Sequence, residues 1–254
     1  MNKRKKFVLV SFLLTFGLIG LQFIPLDRRY EAIIFFSCVS ILLSVWALIS
    51  DLKGVSWLTS MILPALYPAS VGLFYFLLPV NVLFRTILLS LFGLGMYALL
   101  LTENIYAVAA NRTIQLVRAA HAVSFLLTVI TAIFLIGTVF GLRLSFWANG
   151  IMVALILWPL FIKGLWSATI QKSISAKVWL YSGVLAVVGG ELTMFIGLLP
   201  MTPLVAAILI TGYLYVTLGL MQQELQERLF SKTIQEYVWV GIIAFLAALL
   251  VTYR

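Results

Sequence analysis

The sequence has little of the side-chain chemistry that most enzymes use. Its 254 residues include one cysteine and one histidine, and only 10% of the residues are charged. The single cysteine, Cys38, excludes an internal disulfide and every metal motif built from several cysteines. The single histidine, His121, leaves no group of imidazoles for a metal site. No metal and no cofactor are therefore expected.

Catalytic motifs are missing as well. The sequence has no glycine-rich phosphate loop, no His-Glu-x-x-His pattern and no aspartate pair spaced to hold magnesium on a diphosphate. It also has no recognisable Ser/His/Asp motif. Because catalysis needs positioned acids, bases or metals, the protein is not expected to be an enzyme.

Long polar segments are also absent, since no polar stretch exceeds roughly 15 residues, which is far below domain size. Hydrophobic residues make up 63% of the chain. They form membrane-length runs that recur from end to end, which is typical of transmembrane helices. The sequence predicts an all-α, polytopic membrane helix bundle, with residues 1–254 forming a single transmembrane domain.

Nine apolar runs are long enough to be predicted as membrane spans. The third run contains Pro64 and Pro68, which remove two backbone hydrogen bonds and predict a kink. The ninth run is short for a membrane span, so we expect it to be tilted or to use interfacial residues. The predicted spans are residues 7–25, 32–50, 58–78, 82–102, 116–140, 144–165, 178–199, 203–221 and 238–253.

The basic residues predict the orientation of these spans. With a cytoplasmic N-terminus, twelve Lys and Arg residues fall on the inner side and five on the outer side. This is the asymmetry that the positive-inside rule describes. Topology and anionic lipid headgroups therefore account for the net charge of +9, and nucleic acid is not expected as a partner.

The seventh span carries a carboxylate, Glu191, near its middle. A charged side chain at bilayer depth costs about 2.5–3.5 kcal/mol on insertion scales, so it normally faces protein or water. On the opposite side of the helix lies a stripe of small residues, which allows another helix to approach closely. The stripe consists of Ser182, Ala186, Gly190, Thr193 and Gly197. With one face packed and the other hiding a carboxylate, this helix is expected to be central in the bundle.

Two more polar residues lie in the outer half of the predicted bundle. Glu191 lies about 12 Å deep, Asn149 about 8 Å and Arg85 about 5 Å, at 1.5 Å per helical residue. One hypothesis is an intramembrane binding site in which Glu191 titrates and Arg85 is its charge partner. The structural alternative is a polar clamp, with Glu191 bonded to Asn149 or to a freed backbone group.

A second group of polar residues lies at the inner ends of the helices. Asn104, Asn111 and Arg118 recur every seven residues, so they share a face if this region is a continuous helix. The group could hold a phosphate-bearing lipid headgroup or an acidic segment of a partner. The structural alternative is topology determinants and snorkelling side chains, which is favoured here. The predicted rim residues are Arg112, Arg118, His121 and Lys163, together with Glu103, Asn104 and Asn111.

The expected partners are membrane lipids and a protein bound through two cytoplasmic segments. Residues 103–115 are expected to form a helical or interfacial connector. Residues 222–236 are expected to extend the eighth helix into the cytosol, with helix-spaced charge pairs on the surface. A solvated, non-docking surface is the structural alternative for this second segment, and it is favoured because charge-paired helices are usually exposed surface.

Three stretches resemble a family of uncharacterised bacterial multi-pass membrane proteins, a domain of unknown function. They are ENIYAVAANRTIQLVRAAHAVSFLLT (103–128), GELTMFIGLLPMTPLVAAILITGYLYVTLGL (190–220) and ERLFSKTIQEYVWVG (227–241). The resemblance covers roughly a third of the chain and includes no catalytic signature. It implies a location in the bacterial plasma (inner) membrane and no particular activity.

Two functions fit these observations. The favoured one is a non-enzymatic accessory, scaffold or lipid-interacting subunit of a membrane. The alternative is a small-molecule or ion transporter, or a lipid flippase, that uses Glu191 as its intramembrane binding group.

Overall fold

A computed structural model describes residues 3–50, 56–77, 81–109, 116–171 and 173–252. Within these ranges the chain forms nine α-helices and two short 3₁₀ turns, and it has no β-strand. The predicted all-α helix bundle is confirmed. The helices are α1 (Lys3–Gly20), α2 (Arg29–Leu48), α3 (Ser56–Leu77), α4 (Val82–Ala109), α5 (Val117–Gly141), α6 (Phe146–Thr169), α7 (Ala176–Ile196), α8 (Pro203–Leu225) and α9 (Ser231–Thr252).

Among the described residues, α1 to α8 are long and apolar enough to cross a membrane. Helices suit this composition because a backbone in lipid must satisfy its hydrogen bonds internally. The chain is therefore built like a multi-pass integral membrane protein. The ninth predicted span falls on α9, which is not among these eight, and its crossing of the membrane stays a prediction.

The two segments predicted to be cytoplasmic differ in their helical structure. Helix α4 continues seven residues beyond its predicted span, so the described part of the 103–115 connector is helical as expected. Helix α8 instead ends at Leu225, and Glu227 adopts the left-handed backbone conformation with φ of 55° before α9 begins. The predicted continuous helix over 222–236 is therefore wrong, since its residues form two helix ends joined by a turn.

The chain divides into two compact units, residues 1–131 and 132–254, with the boundary inside α5. The predicted single domain is not decided by this division and stays a prediction. In the first unit α2 packs on α3, and α1 packs on α4 and α2. Its core includes the fully buried Phe92, whose ring stacks on Tyr67 with centroids 5.5 Å apart.

The second unit contains the close-packed helices α6, α7 and α8, with α9 against α8. Local sequence sets the helix ends here. Ser175 accepts a hydrogen bond from the backbone N–H of Val178 and so caps the start of α7. Pro203 occupies the first turn of α8, where its missing N–H costs nothing.

Candidate functional site

Glu191 lies on an exposed side of α7. By helical rise it is about 22 Å from the helix start at Ala176 and about 8 Å from the end at Ile196. The side chains that share this side are apolar and 43–64% exposed. We call this surface the Glu191 face, and it consists of Glu191 with Leu180, Val184, Val187, Val188 and Phe195. An ionisable group therefore lies within an outward-facing apolar surface of membrane-spanning length.

The opposite side of α7 is buried and touches other helices at its small residues. Gly190 lies so close to α6 that a Cβ there would be 2.8 Å from the carbonyl oxygen of Gly150. A second contact comes from α8, where the hydroxyl of Tyr213 donates a 2.8 Å hydrogen bond to the carbonyl of Leu185. The close approach expected for the small-residue stripe is present at Gly190. The expectation that both faces of α7 are inside protein does not hold, because the Glu191 face is exposed.

Asn149 is close to this packed side but is not joined to Glu191. Its side chain is 5% exposed, and its Nδ2 donates a 3.4 Å hydrogen bond to the carbonyl of Leu144 at the start of α6. Its Oδ1 is buried and has no hydrogen-bond partner within the described ranges. The structure thus places Asn149 on the buried side of α6 and Glu191 on the exposed side of α7. Among the described residues there is no hydrogen bond between them.

Arg85 belongs to the first unit and has an aromatic neighbour there. Its guanidinium carbon lies 5.2 Å from the centroid of the Tyr75 ring, within the range of a cation–π contact. Its Nε is buried and finds no hydrogen-bond acceptor in the part of the chain that the structure describes. Arg85 therefore has a local structural environment of its own on α3 and α4.

The predicted rim residues of the first unit include a contact that sequence reasoning missed. The hydroxyl of Tyr106 on α4 lies 3.3 Å from Nδ1 of His121 on α5, and their rings are 5.5 Å apart. Tyr106 and Glu103 are both fully buried, whereas Arg118 is exposed. The sequence signal that could have added Tyr106 to the rim residues is its i,i+3 spacing from Glu103, because residues at this spacing share a helix face.

A further predicted rim residue belongs to the second unit. Lys163, in the second unit, is fully buried on α6, with its Nζ 5.3 Å from the Trp166 ring centroid. The predicted snorkelling lysine is thus packed among protein groups. Arg112 and Asn111 lie outside the described residues.

The comparisons with known proteins give a family and no activity. A family model described as a protein of unknown function matches residues 44–251. No curated protein matches the chain, and no solved structure matches it. The matched range includes the Glu191 face and the Tyr106–His121 contact.

Proposed function

The chain belongs to this family, DUF5656, and we propose that it is a non-enzymatic membrane subunit that holds a partner's transmembrane segment on the Glu191 face. The observation that carries the proposal is the exposure of Glu191 within an apolar, membrane-length surface. The proposed location is the bacterial plasma membrane.

The physical basis is the cost of a carboxylate that faces lipid. Intramembrane acidic groups cost about 2.5–3.5 kcal/mol on insertion scales, and they usually pair or face a protein interior. Because Glu191 is exposed, a partner chain would supply the group that pairs with it. A lysine, arginine or strong hydrogen-bond donor at the same depth of a partner helix would offset the cost and fix the register of docking.

Apolar side chains around the carboxylate suit this type of contact. Val184, Val187 and Val188 are small and β-branched, so they lose little conformational freedom when a second helix covers them. The opposite face of α7 is held by Gly150 and Tyr213, which fixes the orientation in which Glu191 is presented. A docking surface benefits from such a rigid support.

The cytoplasmic segments named as partner contacts have a smaller part in this proposal. Residues 103–109 continue α4, and residues 222–225 end α8. Each segment continues a helix of its own unit, and partner binding through either segment stays a separate prediction. Residues 110–115 lie outside the described part of the chain.

The alternative function is a carrier that uses Glu191 as its binding group. A transport carboxylate must reach a polar pathway, whereas Glu191 lies among exposed valines on the outside of a single chain. A second chain would have to enclose it before any ion or substrate could bind. A second chain at the Glu191 face is therefore required in either case.

Site-specific photo-crosslinking in native membranes tests the proposal. A photoreactive residue replaces Val187, which is 56% exposed, or Leu91 on α4, which is 58% exposed and serves as the matched control. We expect one discrete protein adduct from position 187 and no such adduct from position 91. Glu191→Lys should abolish the adduct by charge repulsion, and Glu191→Gln should weaken it. Identical products at both positions, or an adduct that is insensitive to Glu191→Lys, would overturn the proposal.

A further inference from the structure

A long apolar groove lies between α1 and α2 in the first unit. Its volume is about 840 Å³, within the range of small-molecule sites. Its walls are apolar along nearly their whole length, and the two charged lining residues, Arg28 and Glu31, lie together near the start of α2. Every lining residue precedes residue 44, where the family match begins.

The length of the groove matches one leaflet of a membrane. Its lining on α2 extends from Glu31 to Leu43, a distance of twelve helical rises or about 18 Å. Half of a hydrocarbon core is about 15 Å thick. An occupant with acyl chains along the groove would therefore have its polar end beside Arg28 and Glu31.

Two glycines of α1 shape the groove in different ways. A Cβ at Gly17 would be 2.9 Å from the ring of Phe36, so α1 and α2 are in close contact at that level. A Cβ at Gly20 would meet nothing within 4 Å, although Gly20 also lines the groove. The backbone of Gly20 is right-handed helical, with φ of −59°, so other residues can adopt it. Gly20 is therefore a position where a side chain can fill the groove without disturbing the packing.

The two charged residues that line the polar end of the groove, Arg28 and Glu31, have opposite signs. Arg28 and Glu31 are both exposed; Arg28 ends the turn Leu26–Arg28, and Glu31 lies in the first turn of α2. The nearby Arg29 is engaged with protein, since its guanidinium carbon lies 4.4 Å from the Phe76 ring centroid. An arginine fork binds phosphate oxygens, and a carboxylate binds a primary ammonium. The pair complements a zwitterion that contains both groups.

We propose that this groove binds one phospholipid whose headgroup joins a phosphate to a primary ammonium, with the phosphate at Arg28 and the ammonium at Glu31. Phosphatidylethanolamine has this chemistry. A quaternary ammonium cannot donate a hydrogen bond to Glu31, and an anionic headgroup without an ammonium places negative charge beside the carboxylate. Binding at this groove does not depend on a partner at the Glu191 face.

Native mass spectrometry of the full chain tests the assignment. The purified protein is exchanged into mixed micelles that contain phosphatidylethanolamine, phosphatidylcholine or phosphatidylglycerol with identical acyl chains. We expect one retained lipid per chain and a preference of about tenfold for phosphatidylethanolamine, the effect of one charge-assisted hydrogen bond. Equal retention of the three lipids, or retention of none, would overturn the proposal.

Variants separate the groove from general lipid adhesion. Gly20→Leu should remove the retained lipid, whereas Gly183→Leu on α7, where a Cβ also meets nothing within 4 Å, should keep it. Glu31→Gln should keep a bound lipid but reduce the preference for phosphatidylethanolamine over phosphatidylcholine to about twofold or less. Thermal unfolding of each variant reports whether it is folded. A folded Gly20→Leu protein that retains phosphatidylethanolamine as the wild type does would contradict the proposed site, and an unchanged preference in Glu31→Gln would contradict the headgroup assignment.

Discussion

The hydroxyl of Ser40 on α2 donates a 2.8 Å hydrogen bond to the carbonyl oxygen of Pro64 on α3. Pro68 lies four residues after Pro64 and has no N–H, so this carbonyl has lost its normal helical donor. Inside a membrane no water replaces such a donor. Helix α3 continues through both prolines, and a serine of the neighbouring helix satisfies the backbone group that Pro68 frees.

Ser40→Ala should therefore destabilise the protein. The variant leaves a buried carbonyl without its donor, and we expect a loss of about 1 kcal/mol in the free energy of unfolding, a typical value for an interhelical hydrogen bond. Ser44→Ala is the matched control, because Ser44 is equally buried on α2 and its hydroxyl has no partner within the described ranges. Titration with SDS in mixed micelles measures both variants. Equal stability of the two would show that the Ser40 bond contributes nothing.

The contact between Gly190 and Gly150 gives a second prediction. A Cβ at Gly190 would be 2.8 Å from the Gly150 carbonyl oxygen and 2.9 Å from the Cβ of Ala154, so α6 and α7 must separate to accept it. Gly190→Ala should cost about 1–3 kcal/mol, the usual range for overpacking. The loss appears as a lower thermal midpoint in detergent.

Gly183→Ala provides the comparison on the same helix. Its Cβ would meet nothing within 4 Å, and alanine favours helix over glycine by about 0.5–1 kcal/mol. The variant should be neutral or slightly more stable. If Gly190→Ala were as stable as Gly183→Ala, the close helix approach at Gly190 would be wrong.

The membrane spans could be predicted from sequence because long apolar runs are a strong, local signal. Helix ends depend on weaker signals. The break after Leu225 requires a left-handed Glu227, a residue type that rarely adopts this conformation, so nothing local in the sequence indicated it. The Ser40–Pro64 bond joins two helices and could not be assigned without their packing.

The environment of Glu191 was inaccessible from sequence for a different reason. A helical wheel divides α7 into two faces but does not say which neighbour covers each one. The small residues correctly indicated a close contact, which occurs at Gly190. Valines such as Val184 and Val188 pack equally well in a core or against lipid, so burial of Glu191 was inferred only from the cost of exposing it.

Gln222 supports the C-terminal end of α6. Its Nε2 donates a 2.9 Å hydrogen bond to the carbonyl of Gly164, and Gln226, one turn later, makes a 3.4 Å bond to the carbonyl of Ala168. Gln222→Ala should lower the free energy of unfolding by about 1 kcal/mol. Gln223→Ala is the control, since its side chain has no such bond within the described part of the chain, and it should be close to neutral. A larger effect at Gln223 than at Gln222 would contradict this role.

The predicted orientation can be tested at the two ends of α6. Ser145 precedes the helix and makes no side-chain capping bond, while Ser173 is exposed in the segment that follows it. Both variants are made in a Cys38→Ala background. Ser145→Cys should react with a membrane-impermeant maleimide added outside intact cells, and Ser173→Cys should react only after permeabilisation. The reason is that twelve of seventeen basic residues fall on the predicted inner side. The reverse pattern would invert the topology.

Cys38 itself tests whether exposed apolar faces meet lipid. The residue is exposed on α2, in the middle of a membrane-length helix. A thiol in water reacts as its thiolate, which is disfavoured in an apolar environment, so Cys38 should resist the maleimide in membranes even after permeabilisation. Denaturation in SDS should restore full labelling. Rapid labelling in intact membranes would place this face of α2 in water, and it would also remove the basis for a lipid in the groove between α1 and α2.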